Sequence, residues 1–204
     1  MLSYLFKKLR YRWLIAWAYG CLKTRQHGHS LIRFQAAHAL DDSRPDAMNG
    51  LGLLFFDLKQ YPNAVCALKV AIECDPTKGV LWHNLSRTYY DWGDHDLEVL
   101  YTADEAIARG NCAHPADVYA VKGAALLRLK QYGEAAACYR QAVELNPGNH
   151  VYQFNYASSL AASGNIDEAI AQIRKARAIL DDPKTRDLLM RLRLSKRQST
   201  SSTN

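Results

Sequence analysis

"KQYPNAVCALKVAIECDP" (residues 59–76) aligns without a gap to "KQYGEAAACYRQAVELNP" (130–147), 71 residues further along. In each, small and large residues alternate at i, i+4 and i+7 (Ala64, Leu68, Ala71; Ala135, Tyr139, Ala142), the spacing of one helical face. Working outward, the same face returns as Ser30, Phe34, Ala37 and as Ala169, Ile173, Ala176. Upstream of each lies a second helical pattern. Its eighth place is always small (Ala18, Gly52, Ser86, Gly123, Ala157), and its eleventh is Cys21, Phe55, Tyr89, Leu126 or Leu160. These units start at 11, 45, 79, 116 and 150, with spacings of 34, 34, 37 and 34, and the last ends at Pro183. The third unit fits only after a one-residue slip that brings Val99, Ala103 and Ala106 into place, and its loop "RGNCAHP" (109–115) accounts for the longer spacing. Gly93, Gly164, Pro62, Pro76, Pro147 and Pro183 punctuate the pattern where helices begin or end, so each unit reads as a helix pair.

With 204 residues, 49% of them hydrophobic, the chain is long and apolar enough for one repeat array with a continuous core. Five cysteines at 21, 66, 74, 112 and 138, with no C-x-x-C spacing, make neither a disulfide framework nor a zinc site, which favours a reducing compartment. Cys112 and His114 lack a third partner and read as a plain loop; no cofactor, metal or catalytic residue is expected, and the chain is not read as an enzyme. The net charge of +6 is unevenly spread. Residues 1–40 hold Lys7, Lys8, Arg10, Arg12, Lys23, Arg25 and Arg33 and no acid; residues 184–197 are again basic, around a net acidic middle. Such ends attract anionic surfaces, but without a nucleic-acid-binding motif, nucleic acid is not an expected partner.

The stretch "RYRWLIAWAYGCLKTR" (10–25) admits a competing interpretation. Trp13 to Leu22 supplies ten residues, against the roughly 20 that a spanning helix needs. No A-x-A cleavage pattern follows, and Ala18 and Tyr19 depart from a lipoprotein box before Cys21. Leu14, Trp17, Ala18 and Cys21 instead occupy the places of Met48, Leu51, Gly52 and Phe55, so 11–44 reads as a divergent first unit, with Trp17 packed on the next. Before it, Leu2, Leu5, Phe6, Leu9 and Trp13 form one stripe, with Lys7, Lys8, Arg10 and Arg12 mostly off it. This basic amphipathic segment, 1–10, either caps the array or contacts an anionic membrane surface through those four cations. Residues 184–196, with Leu188, Leu189, Met190 and Leu192, are predicted to form a C-terminal capping helix, and 197–204 a disordered tail.

The pattern Trp82, Leu85, Ser86, Tyr89 in one unit, and Gly123, Ala135, Tyr139, Ala142, Pro147 in another, resembles the tetratricopeptide repeat (TPR) across 11–183. That resemblance implies an all-α fold, a right-handed α-solenoid of about five TPR helix pairs with N- and C-terminal capping helices. It also implies a concave groove lined by the first helices, which holds a peptide or helix of another protein. By analogy the groove places include Asn49, Phe56, Asp57, His83, Asn84, Arg87, Tyr90, Asp91, Leu127, Arg128, Phe154, Asn155 and Ser158. Asparagine is a poor helix former, and the recurrence at Asn84 and Asn155 suits carboxamides that bond an extended peptide, as some members of the family do. One subset of the family clamps acidic chaperone tails with basic residues. Asn49, Asp117 and Val121 stand where that clamp needs cations, so it is not expected here. The implied function is a cytoplasmic adaptor or assembly factor, possible as a homo-oligomer and peripheral at the membrane; the alternatives are a chaperone for a secreted substrate and a membrane-surface tether.

Overall fold

The computed structural model describes the backbone of residues 2–201 and the side chains of residues 5–198. Among the described residues there are eleven α-helices and no strand: α1 (Leu2–Lys23), α2 (His27–Leu40), α3 (Pro45–Asp57), α4 (Tyr61–Cys74), α5 (Gly79–Trp92), α6 (Asp96–Arg109), α7 (Pro115–Arg128), α8 (Tyr132–Leu145), α9 (His150–Ala162), α10 (Ile166–Ile179) and α11 (Pro183–Ser201). They form two compact units, residues 1–113 and 114–204. In the N-terminal unit α1 pairs with α2, α3 with α4 and α5 with α6, and α2 packs on α3 and α4 on α5. In the C-terminal unit α7 pairs with α8 and α9 with α10, α8 packs on α9, and α11 lies against α10 and α9.

Small residues let the paired helices approach. A Cβ added at Gly52 would lie 2.6 Å from Leu68 Cγ, and one at Gly123 2.9 Å from Tyr139 Cε2. In the first and third pairs a hydroxyl bonds a backbone carbonyl across the crossing: Ser30 Oγ donates to the Ala18 carbonyl at 3.0 Å, and Ser86 Oγ to that of Val99 at 3.3 Å. Both hydroxyls are fully buried, so these bonds satisfy groups that would otherwise be costly to desolvate. The large partners Phe34, Leu68, Tyr139 and Ile173 are at most 1% exposed and fill the space between layers.

The turn within a pair explains why the two quoted stretches begin alike. Lys59 and Lys130 adopt left-handed backbone, with φ of 60° and 61°. The following Gln60 and Gln131 N–H groups reach back five residues to the carbonyls of Phe55 (2.8 Å) and Leu126 (2.9 Å), closing the helix in a Schellman turn. Arg25 and Gly164 occupy the same place, with Gln26 bonded to Cys21 (2.8 Å) and Asn165 to Leu160 (2.8 Å). The third pair differs: α5 runs one residue further into its unit, to Trp92, before a three-residue turn in which Gly93 (φ 85°) and Asp94 (φ 52°) both take positive φ. That is the physical origin of the slip before Val99.

The termini depart from expectation. Residues 2–10 are not a separate segment folded over the array but the first half of α1, because neither proline nor a second glycine interrupts the helix before Lys23. Its buried side is Tyr11, Leu14, Ala18 and Cys21, whereas Leu5, Phe6, Leu9 and Trp13 are exposed. Trp17 is 44% exposed and does not pack on the next pair: it meets Trp13 edge-on at 4.5 Å and lies under the Arg33 guanidinium at 3.4 Å. At the other end α11 buries Leu189 and Leu192 but leaves Met190 outside, and it continues through Ser201. The expected tail is helical to that point, since Lys196, Arg197 and Gln198 are good helix formers and no breaker follows; residues 202–204 lie outside the described residues.

Candidate functional site

In the N-terminal unit the first helices of the three pairs stand side by side, α3 touching both α1 and α5. Side chains one repeat apart meet across them. Asn84 Nδ2 on α5 donates to Asn49 Oδ1 on α3 at 2.8 Å, Asn49 Nδ2 donates to the Tyr19 hydroxyl on α1 at 3.1 Å, and that hydroxyl donates to the Asp46 carbonyl at 3.5 Å. Burial pushes up the Tyr19 pKa, so the phenol stays protonated and able to donate. The two asparagines are half-buried. The carboxamides predicted to bond a ligand therefore already bond one another, and the row links three repeats.

Around this row the predicted residues sort by exposure. Arg87 is exposed and its guanidinium sits 4.6 Å over the Phe56 ring, while His83 and Tyr90 are half-buried. Phe56, expected to line the groove, is only 6% exposed: Arg87 covers it, Lys59 Nζ lies 5.4 Å over it and Tyr61 packs edge-on at 6.1 Å. It therefore presents cations rather than an aromatic face. Tyr19 was missed, although it occupies the ninth place of the first unit, the place of Arg87 in the third. Applying the groove register to the divergent unit would have found it.

A second rung lies nearer the starts of the first helices. Tyr11 donates to Asp46 Oδ2 at 3.5 Å, and Arg44 and Lys78 each approach the same carboxylate at 3.8 Å. Burial, then the Asp46 charge, raises the Tyr11 pKa. In the C-terminal unit Tyr152 donates to Asp117, and its pKa is raised by burial and then by that carboxylate. Of the residues predicted there, Arg128 is exposed, Asn155 is half-buried, and Phe154 packs against the core of Tyr156, Leu160 and Ile173. Asn84 and Asn155 belong to different compact units. Lys7, Lys8, Arg10 and Arg12 are all exposed on α1.

Residues 116–149 match the tetratricopeptide repeat family. That unit is a tetratricopeptide repeat. The peroxisomal targeting signal receptor of Kluyveromyces lactis is 26% identical over 80% of this chain and 35% of its own length. This chain spans between 8% and 35% of the length of the curated relatives it matches. Among solved structures, Pseudomonas aeruginosa pilF superposes with a TM-score of 0.83 at 16% identity, covering 97% of this chain and 89% of that one. YrrB, described as a TPR protein with an unusual peptide-binding site, superposes with a TM-score of 0.70 at 19% identity, covering 84% and 87%. At these identities the structural likeness establishes the fold alone: an all-α array of TPR-like helix pairs. No helix among the described residues is long and apolar enough to cross a membrane.

Proposed function

We propose that the chain is a non-catalytic, cytoplasmic TPR adaptor whose α1–α3–α5 face holds an extended segment of another protein. The hydrogen-bonded row Tyr19–Asn49–Asn84 carries this reading. Each asparagine there has a second amide N–H beyond the one given to the row, and the Asn84 carbonyl is not used within it, so the row offers a strand both kinds of group at repeat spacing. Exposed Arg87 and half-buried His83 and Tyr90 flank it. The peptide-binding site named for YrrB and the targeting-signal receptor among the relatives support the reading by analogy. An odd number of cysteines, scattered with no C-x-x-C spacing, supports a reducing setting. In the C-terminal unit Arg128, Phe154 and Asn155 are proposed as a second contact of the same kind.

Affinity capture with mass spectrometry names the partner, and calorimetry on its bound segment then tests the face. Asn84→Ala and Arg87→Ala should each weaken binding by about 3- to 10-fold, the effect of one lost hydrogen bond of about 0.5–1.5 kcal/mol, with helicity unchanged. Unaltered affinity in both variants would remove this face from the proposal.

A further inference from the structure

The helix α1 is apolar on two opposite faces. Tyr11, Leu14, Ala18 and Cys21 turn inward, all at most 9% exposed. On the far side Leu5, Leu9, Trp13, Ala16 and Gly20 follow the i, i+4, i+8, i+11, i+15 spacing of a second stripe, with Phe6 and Trp17 along its edge. Leu5, Phe6, Leu9, Trp13 and Trp17 are 44–68% exposed. The nine residues from Leu2 to Arg10 extend the helix by roughly 13 Å relative to a first helix begun at residue 11, and residues 5–10 are exposed throughout. A stripe of this length, absent from the shorter α3, α5, α7 and α9, is not needed to close a TPR pair.

Charge selects the occupant. Arg10 and Arg12 lie at the two borders of the stripe, Lys7 and Lys8 lie behind it, and no carboxylate occurs before Asp41. A second copy docked through this face would bring like charges together with no acid to pair them. An anionic lipid surface pairs the two bordering arginines and attracts the lysines behind them at longer range. It also suits the two indoles, whose amphipathic rings favour the headgroup boundary, and the long basic side chains, which bury their stems and reach phosphate. We infer that the outer stripe of α1 lies in the plane of an anionic membrane surface, with Leu5, Phe6, Leu9 and Trp13 inserted and Arg10 and Arg12, at its borders, on the headgroup phosphates. The helix neither crosses the bilayer nor needs to leave its pair to do so.

Flotation of the full chain with vesicles tests the placement, using phosphatidylcholine alone and phosphatidylcholine with 30% phosphatidylglycerol. The chain should float with the anionic vesicles only, with a blue-shifted tryptophan emission, and detach as salt approaches 0.5 M, where screening shortens the reach of each charge well below its roughly 10 Å at 0.1 M. Leu9→Glu and Trp13→Glu, at exposed positions, should each lower vesicle partitioning about tenfold while keeping the thermal midpoint. Asn84→Ala should leave flotation intact. No flotation with anionic vesicles, equal flotation of parent and both variants, or a dimer that Trp13→Glu dissociates would each overturn the assignment, the last in favour of a second copy.

Discussion

Gly123 and Gly20 occupy helix interiors for opposite reasons. The Tyr139 ring, 1% exposed, leaves no room for a Cβ at Gly123. Gly123→Leu should therefore overpack the α7–α8 crossing and lower stability by about 1–3 kcal/mol. Nothing lies within 4 Å of a Cβ at Gly20, on the outer side of α1. There Gly20→Ala should raise stability by about 0.5–1 kcal/mol through restricted unfolded-chain freedom and better helix propensity. Thermal melts of the pair should move in opposite directions; a shared direction would contradict the crossing geometry. Gly79 is stricter still, since its Cβ would meet the Gly110 carbonyl, a backbone group with no rotamer to yield.

At the level of the element, α11 shows how a helix is anchored by its first turn. Asp182 Oδ1 accepts from the Thr185 N–H at 2.7 Å, a cap that, with other nearby donors, holds the carboxyl below its usual pKa. Asp181, paired with Arg177 at 2.8 Å and Arg186 at 3.1 Å, is likewise lowered. Because the folded pKa values lie below the unfolded ones, the stabilisation is complete above the ordinary carboxylate range near pH 4 and is lost as pH falls through the folded values. Hydrogen exchange should thus find α11 loosening before α9 and α10 on acidification, and Asp182→Asn, which keeps an acceptor without the charge, should flatten that dependence. Equal protection of the three helices down to the global acid transition would count against it. Helix pairs of this kind were legible in the sequence because their small and large residues are confined by packing: Ala64, Leu68 and Ala71 have one arrangement that fits. The hydrogen bonds between repeats were less legible. Asn49 and Asn84 were selected for facing a ligand, and nothing in one helix announces that a side chain 35 residues away will complete its carboxamide. The exposed side of α1 was opaque for a related reason, since a stripe of leucine and tryptophan looks the same whether it covers a neighbour or is left bare.

For the whole chain, ionisation of the buried tyrosines should be coupled to unfolding. Of its twelve tyrosines, Tyr11, Tyr19, Tyr152 and Tyr156 have raised pKa values, Tyr156 to about 12 through burial and its 2.9 Å bond to Glu168. A folded pKa above the unfolded one contributes stability that is complete below pH 10 and declines as pH rises from there through the folded value. Phenolate absorbance from these four should appear only above about pH 10 and together with loss of helicity; their ionisation before helicity falls would refute the burial of these rungs. Tyr156→Phe should reduce the alkaline slope of the melting temperature.

The bonds from Asn84 to Asn49 and from Asn49 to Tyr19 donate in one direction, from the third repeat toward the first, and the Tyr19 hydroxyl ends the run on the Asp46 carbonyl of α3. They form a vector rather than a set of contacts. Such a chain has an unequal beginning and end: its last acceptor is backbone already committed to the scaffold, and its first member has a carbonyl oxygen in hand. A strand laid along it in one orientation continues the run of dipoles, while the same strand reversed opposes it. Chain polarity would then be read by the sense of a hydrogen-bond relay, without any contact specific to a ligand side chain.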